Sequence, residues 1–146
     1  MQLDELIARE AIREVVAAYS HHADAGRFDE LVTLFAPDGV LDVKGEPPVA
    51  GHDAIRAYLG GVGRNLADTS TTRMIRHFVT NLLIEISTAS EATGTCYFVV
   101  VTDAGVDHWG RYRDTYTRQG DTWMFARRTV TTDGFVPGGF ADSRRS

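Results

Sequence analysis

The chain has 146 residues, a mass of 16.1 kDa and a formal net charge of −5, from 15 basic and 20 acidic side chains. This length favours one domain with one sizeable core, and 43% hydrophobic and 24% charged residues exclude collagen-like, coiled-coil and wholly disordered chains. The acidic balance, with arginines scattered among Asp and Glu, also argues against nucleic acid as a partner.

The chain is predicted to begin with two helices. Apolar residues from Leu3 to Ala25 recur mostly at steps of three and four, which is typical of an amphipathic helix, and Gly26 is a plausible end for it. A second, shorter helix is predicted over Phe28 to Phe35, because Pro37 disfavours helix in the residue before it.

A short strand and a third helix are predicted next. Val40 to Val43 has the composition of a strand, and the third helix is expected to begin at Gly51 to Asp53 and to run to about Leu59. The Gly60-Gly61-Val62-Gly63 segment is interpreted as a loop, and the stretch from Thr69 to Thr72 as a further break.

The second half of the chain is predicted to be a sheet. Four segments rich in β-branched and aromatic residues favour long antiparallel strands joined by hairpins. They are Met74–Ser87, Glu91–Asp103, Asp107–Arg118 and Thr122–Asp133. Three helices followed by such a sheet predict an α+β fold, with one domain over residues 1–136 and a mobile tail over residues 137–146. A curled sheet covered by helices leaves room for a ligand pocket.

Three polar residues are the main candidates for chemistry. Tyr19 continues the apolar stripe of the first helix, so its hydroxyl needs a partner or faces a cavity. Asp24 lies in the last turn of that helix, where a cationic partner would relieve its conflict with the helix dipole. His77 lies in a predicted strand, and a histidine backed by a carboxylate becomes an oriented general base near neutral pH. A core tyrosine, a solvated aspartate and a structural histidine are the competing interpretations.

The last predicted strand carries adjacent arginines, and strand alternation requires one of Arg127 and Arg128 to point inward. An inward arginine either binds an anionic or carbonyl part of a ligand or pairs with a strand neighbour such as Asp114. The sequence has no spacing typical of a metal site, a phosphate-binding loop or a serine nucleophile elbow. We therefore predict no metal and no cofactor.

The expected compartment is the cytoplasm. The single Cys96 cannot form an intrachain disulfide, and the N-terminal run MQLDELIARE is charged where a signal peptide is apolar. The longest apolar run, Cys96 to Val101, is far shorter than the ~20 residues of a membrane span, so no membrane partner is expected.

Four runs of the sequence resemble the SnoaL-like family. They are AYSHHADAGRFDELVTLFAPDGVLDV, GHDAIRAYL, RHFVTNLLIEI and GRYRDTYTRQGDTWMFARR, within residues 3–133. This family belongs to the cystatin-like α+β barrel superfamily, with scytalone dehydratase, ketosteroid isomerase, bile-acid 7α-dehydratase and hexachlorocyclohexane dehydrochlorinase. The resemblance implies a cone-shaped α+β barrel in which three N-terminal helices pack on a strongly curved antiparallel sheet around an internal apolar cavity.

The resemblance also implies a His–Asp dyad, since Asp24 and His77 match the positions that the dehydratase and dehydrochlorinase branches use. Tyr19 stands where several members keep a tyrosine or another polar residue. On this basis we expect a cofactor-independent lyase, a dehydratase acting on a small and largely apolar cyclic molecule. His77 would remove a proton, Asp24 would hold the imidazole, and Tyr19 would bind a developing oxyanion or the leaving hydroxyl.

Asp42, Tyr97 and Arg128 are additional candidate substrate-binding residues. Asp42 lies near the position where the isomerase branch keeps its base, so an isomerase or cyclase using the same cavity is the first alternative. A ligand-binding or assembly module without turnover is the second.

The outer face of the sheet is expected to be unusually apolar for a soluble monomer. The residues assigned to it are Trp109, Thr115, Thr117, Trp123 and Phe125. We therefore predict an obligate homo-oligomer, a dimer in the first place or else a trimer.

Overall fold

The computed structural model describes residues 1–69 and 74–143. Its elements in chain order are α1 (Leu3–Ala25), α2 (Phe28–Val32), β1 (Phe35–Val43), β2 (Val49–Ala50), α3 (His52–Thr69), β3 (Ile75–Ile86), β4 (Glu91–Thr102), β5 (Gly105–Gln119), β6 (Thr122–Phe135) and α4 (Phe140–Ser143).

The first helix has the predicted bounds. Its buried stripe includes Ile12, Val16 and Tyr19, and it packs against β3 and β6. Gly26 ends it in the left-handed conformation, with φ +69°, which glycine adopts without a steric penalty. The backbone N–H of Gly26 then donates to the carbonyl of Ala23 at 3.2 Å.

The second helix is shorter than predicted, because its last residues belong to the sheet. It ends at Val32, and β1 already begins at Phe35. Phe35 is fully buried against Phe125, with ring centroids 5.1 Å apart, and the Phe125 N–H donates to the Leu34 carbonyl at 2.8 Å. Burial in the sheet therefore overrides the helical pattern, and the predicted strand is only the second half of β1.

The glycine-rich segment after Leu59 was wrongly predicted to be a loop, since α3 runs through it to Thr69. A Cβ atom on Gly63 would lie 3.3 Å from the Phe28 ring, so the missing side chain lets α3 pack closely on α2. Tertiary packing here outweighs the low helix propensity of glycine. Of the predicted break from Thr69 to Thr72, residues 70–72 lie outside the described residues.

The described strands form one curved, mixed sheet in the order β2-β1-β6-β5-β4-β3. Strands β3 to β6 are joined as antiparallel hairpins, as predicted, but β1 pairs with β6 in parallel. The sheet is thus not wholly antiparallel, and its edges at β2 and β3 leave it open rather than closed into a barrel. The predicted α+β class, with N-terminal helices covering a curved sheet, is confirmed.

Two residues assigned to the outer face lie in the core instead. Trp123 and Phe125 are buried in the main cluster beneath the helices, whereas Trp109 remains 40% exposed. The expectation for Trp123 and Phe125 was wrong because the irregular register between β5 and β6, near Thr115, shifts which residues of β6 face inward.

Part of the predicted tail is ordered. Residues 140–143 form α4, which packs against α3 and β5, and Phe140 is buried. Residues 144–146 lie outside the described residues, so mobility of the end of the chain stays a prediction, as does the domain boundary at residue 136. None of the helices described is both long and apolar enough to cross a membrane.

Candidate active site

Asp24 and His77 are in direct contact. Asp24 reaches out from the last turn of α1, and its Oδ1 lies 2.6 Å from Nδ1 of His77 on β3. The backbone N–H of His77 also donates to the two carboxylate oxygens, at 3.2 and 3.1 Å. Because β3 is an edge strand, this N–H is available to a group outside the sheet. One carboxylate therefore fixes both the backbone and the ring of His77.

This contact sets the tautomer of His77. An ionised carboxylate only accepts hydrogen bonds, so the Nδ1 that faces Asp24 carries the ring proton. Nε2 of the neutral ring then holds the lone pair. The two side chains are 18% and 13% exposed, which leaves the imidazole accessible while it is held. A histidine held in this way by a carboxylate has the geometry that general-base chemistry requires.

His77 lines a cavity of about 170 Å³ between the helices and the concave face of the sheet. The polar residues of its lining are Tyr19, Tyr58, Thr132, Tyr112, His77 and His108. The remaining lining residues are apolar or glycine: Ala23, Phe28, Leu41, Val43, Leu59, Val62, Gly63, Ile75, Phe98, Val130 and Phe140. A mainly apolar cavity with a few convergent polar groups is typical of a small-molecule site.

Tyr19 is buried at this cavity. Its ring makes edge contacts with Phe35, Tyr112 and Phe125, at centroid distances of 6.3, 6.1 and 5.8 Å. Burial raises the pKa of Tyr19 above its ordinary value, although the nearby Arg128 guanidinium partly opposes that shift. The phenol is therefore a neutral hydrogen-bond donor at physiological pH.

Arg128 is the inward arginine, and it is fully buried. It pairs with Asp114 through Nε and Nη2, at 2.9 Å each, and Tyr116 also donates to that carboxylate at 2.9 Å. Burial by itself would lower the pKa of Arg128, but the Asp114 charge outweighs it and the pKa lies above its ordinary value. Of the two roles considered for this residue, the structure shows the strand-neighbour pairing.

The Arg128 guanidinium also lies over the rings of Tyr19 and Tyr112, at 4.3 and 3.9 Å from their centroids. Its Nη1 has no hydrogen-bond partner among the described residues. Arg128 does not itself line the cavity. It therefore acts on the cavity as a fixed positive charge behind the tyrosines.

Two other candidates lie away from the cavity. Asp42 pairs with Lys44 at 3.0 Å and with Arg127, while its strand neighbours Leu41 and Val43 line the cavity. Tyr97 is 57% exposed on the opposite side of the sheet. Neither residue is placed where it would touch a ligand bound beside His77.

The sequence reasoning missed a second carboxylate–imidazole pair. Nδ1 of His108 lies 2.7 Å from Oδ2 of Asp107, and His108 lines the same cavity as His77. Strict alternation would place these neighbours on opposite faces. However, Val100 pairs with His108 while Val101 pairs with Val106, so Asp107 is the extra residue of a β-bulge. The adjacent Asp-His in the sequence was the only available signal.

A second concavity also touches His77. It is a more open groove of about 390 Å³ between α1 and β3, lined in part by Arg13, Ser20 and His21. It lacks Tyr19 and His108, so the cavity is the better candidate for chemistry. The part of the chain that the structure describes contains no group of three or more His, Cys, Asp or Glu residues able to hold a metal ion.

Fold and site together are those of a small α+β domain with a helix-covered cavity. Residues 4–129 match the SnoaL-like domain family, and the chain belongs to this family. The resemblance seen in the sequence is thus confirmed. No match was found among proteins of curated function.

Solved structures share the fold. An NTF2-like protein with a cystatin-like fold from Novosphingobium aromaticivorans is 29% identical, with a TM-score of 0.73 over 93% of this chain and 86% of that one. A candidate scytalone dehydratase from the same organism is 24% identical, with a TM-score of 0.80 over 93% and 91%. Hexachlorocyclohexane dehydrochlorinase LinA-type3 from Novosphingobium barchaimii is 20% identical, with a TM-score of 0.79 over 92% of each chain.

Proposed function

We propose that the protein is a cofactor-independent lyase, a dehydratase that acts on a small, largely apolar cyclic molecule. The observation that carries this proposal is the 2.6 Å contact between Asp24 and Nδ1 of His77, at a cavity lined mainly by apolar side chains. It supplies a base with a fixed tautomer beside a mainly apolar cavity. Two structures of the same fold carry names of elimination enzymes, which is consistent with this reaction type.

In the proposed reaction, Nε2 of His77 takes a proton from a carbon next to a carbonyl group. Asp24 stabilises the imidazolium that forms, because its charge lies against Nδ1–H. The hydroxyl of Tyr19 donates to the oxygen that becomes negative, and the Arg128 charge behind the ring favours that donation. The C–O bond on the next carbon then breaks, a C=C bond forms, and the oxygen leaves as hydroxide, which becomes water when it takes up a proton.

The size of the cavity limits the substrate. An apolar cavity of roughly 150 Å³ accommodates a benzene ring. The cavity of about 170 Å³ therefore suits a single ring with few substituents. The isomerase alternative is less favoured, since it assigned a base to Asp42, and that carboxylate pairs with Lys44 and Arg127 outside the cavity.

The test uses 3-hydroxycyclohexanone, a one-ring β-hydroxy ketone, and follows its dehydration to 2-cyclohexenone by ultraviolet absorbance. We expect turnover by the wild type and a loss of ~10²–10⁴-fold in His77→Gln. His21→Gln is the matched control, because His21 is exposed and lines only the open groove. It should keep the wild-type rate.

Other outcomes contradict the proposal. A folded His77→Gln variant with the wild-type rate would exclude His77 as the base. A wild type that binds 2-cyclohexenone and dehydrates nothing would favour a binding module without turnover. If His77→Gln unfolds, the structural role of His77 is the correct one.

A further inference from the structure

His108 faces the proposed substrate from the side opposite His77. In the register of the sheet, His77 pairs with Val100 on β4, and Val100 pairs with His108 on β5. Residues paired directly across antiparallel strands project to the same face. Because neighbouring strands lie ~4.8 Å apart, the two histidines are separated by about 10 Å at the backbone, with the buried Val100 between them. Both imidazoles line the same cavity.

His108 is held as firmly as His77. Asp107 accepts from Nδ1 of His108 and also from the backbone N–H groups of Phe140 and Ala141, at 2.7 and 3.1 Å. A carboxylate accepts hydrogen bonds, and these three donors hold it in place, so the ring nitrogen that faces Asp107 carries a proton. Nε2 of His108 is then the nitrogen that exchanges a proton with a ligand. The Phe98 ring packs edge-on against His108, at 5.9 Å between centroids.

We propose that His108, positioned by Asp107, is the catalytic acid that protonates the leaving hydroxyl. This inference rests on the proposed function, in which His77 is the base. His77 gains the proton of the broken C–H bond, and the electron pair of that bond forms the C=C bond. The C–O bond breaks towards oxygen, which takes the Nε2 proton of His108 and leaves as water. Proton return from His77 to His108 through solvent restores the starting state.

The test compares two substrates that share a base step and differ in the leaving group. 3-Hydroxycyclohexanone must lose hydroxide, which needs a proton, whereas 3-acetoxycyclohexanone loses acetate, which does not. Both give 2-cyclohexenone, so one absorbance assay serves for both. We expect His77→Gln to slow both reactions. We expect His108→Gln to slow dehydration by ~10²–10⁴-fold and the loss of acetate by less than about threefold.

A pH profile of the wild type gives a second measurement that needs no variant. An acid must be protonated to act, so the ratio of dehydration to acetate loss should fall about tenfold per pH unit above the pKa of that acid. A ratio that does not change with pH overturns the assignment, even if His108→Gln fails to fold.

The remaining outcomes separate the two proposals. Equal slowing of both substrates in His108→Gln means that the residue only shapes the cavity, and no slowing means that it takes no part; either result overturns the acid assignment. A wild type that eliminates acetate but does not dehydrate the alcohol overturns the acid assignment and leaves the base role of His77 intact. A wild type that is inactive on both overturns the proposed function and this inference with it.

Discussion

The carboxylate of Asp24 fixes the positions of both the edge strand β3 and the imidazole of His77. It binds the backbone N–H of His77 as well as the ring, so the position of the imidazole is tied to that of β3. If His77 is the proposed base, it keeps its orientation before substrate arrives, and that orientation is part of what a catalytic site must supply. The end of α1 is thus the part of the chain on which the position of the imidazole depends.

Tyr19→Phe tests the role of the hydroxyl apart from the ring. Phenylalanine keeps the aromatic contacts of Tyr19, so we expect a small change in melting temperature. Turnover of 3-hydroxycyclohexanone should fall about tenfold to a thousandfold if the hydroxyl meets developing charge. The loss should be smaller than in Asp24→Asn, which removes the charge facing the imidazolium. Unchanged turnover in Tyr19→Phe would identify Tyr19 as a core contact only.

The sequence indicated the residues at the proposed base, but it did not reveal the second histidine. Tyr19 stands out through the apolar stripe of a helix, and Asp24 and His77 through a resemblance to known positions. His108 depends on a bulge at Asp107, and one extra residue in a strand leaves no periodic signal. The choice between ligand binding and ion pairing for Arg128 likewise needed the cross-strand register that places Asp114 opposite it.

Strands β5 and β6 are joined by a buried ion pair between Asp114 and Arg128, which lie directly opposite each other. Asp114→Asn leaves the arginine charge buried without its counter-ion, so the free energy of unfolding should fall by ~3–5 kcal/mol. Urea denaturation followed by circular dichroism measures this loss. The exposed pair Arg111–Asp133 on the same two strands is the matched control, and Asp133→Asn should change stability little. Equal effects of the two variants would contradict the prediction.

Strands β1 and β6 are joined by a second ion pair that responds to pH. Hydrogen bonds from Lys44 and Arg127 hold the pKa of Asp42 below its usual value. A lowered pKa stabilises the fold above about pH 4, and this contribution is lost as the pH falls through the pKa of the folded state. Lys44 and Arg127 are about half exposed, so the contribution is about 1 kcal/mol or less. In thermal melts, Asp42→Asn should destabilise the protein at pH 7 and have little effect near pH 2; an equal effect at both would contradict this.

At the scale of elements, local sequence patterns predicted the helices and strands well where periodicity, composition and turn residues agreed. They failed where contacts with residues distant in sequence determined the structure. The bounds of α1 follow from its apolar stripe and from Gly26. The four long strands, β3 to β6, follow from their β-branched and aromatic composition and from the turn residues between them. The glycines of α3 were wrongly predicted to form a loop, because the packing of Gly63 on Phe28 favours a helix there. The start of β1 at Phe35 was missed, because it depends on the contact of Phe35 with Phe125. The parallel pairing of β1 with β6 has no local signal at all.

On the scale of the whole molecule, we propose that the outer face of the sheet packs against a second copy of the chain. Phe78 on β3, Val99 on β4 and Trp109 on β5 form one cross-strand row, and Phe78 and Trp109 are 52% and 40% exposed. An exposed apolar row of this kind is a candidate contact surface between copies of the chain. Light scattering should therefore give a mass of two or three times 16.1 kDa.

Phe78→Lys should reduce that mass to one chain by placing a charge in the row. Leu3→Lys is the matched control, since Leu3 is exposed on α1, and it should leave the mass unchanged. A wild-type mass of about 16 kDa at micromolar concentration would exclude the oligomer.

The pairing of β1 with β6 has a consequence for synthesis on the ribosome. Phe35 is made early, but its neighbour Phe125 lies in β6, which is the last of the described strands in chain order. Until that strand emerges, the nascent chain has helices whose apolar faces have no completed sheet to cover them. Contacts between residues so far apart in sequence also form slowly. Folding of this core therefore waits until β6 has been translated, and during that wait the exposed apolar segments are open to chaperones and to aggregation.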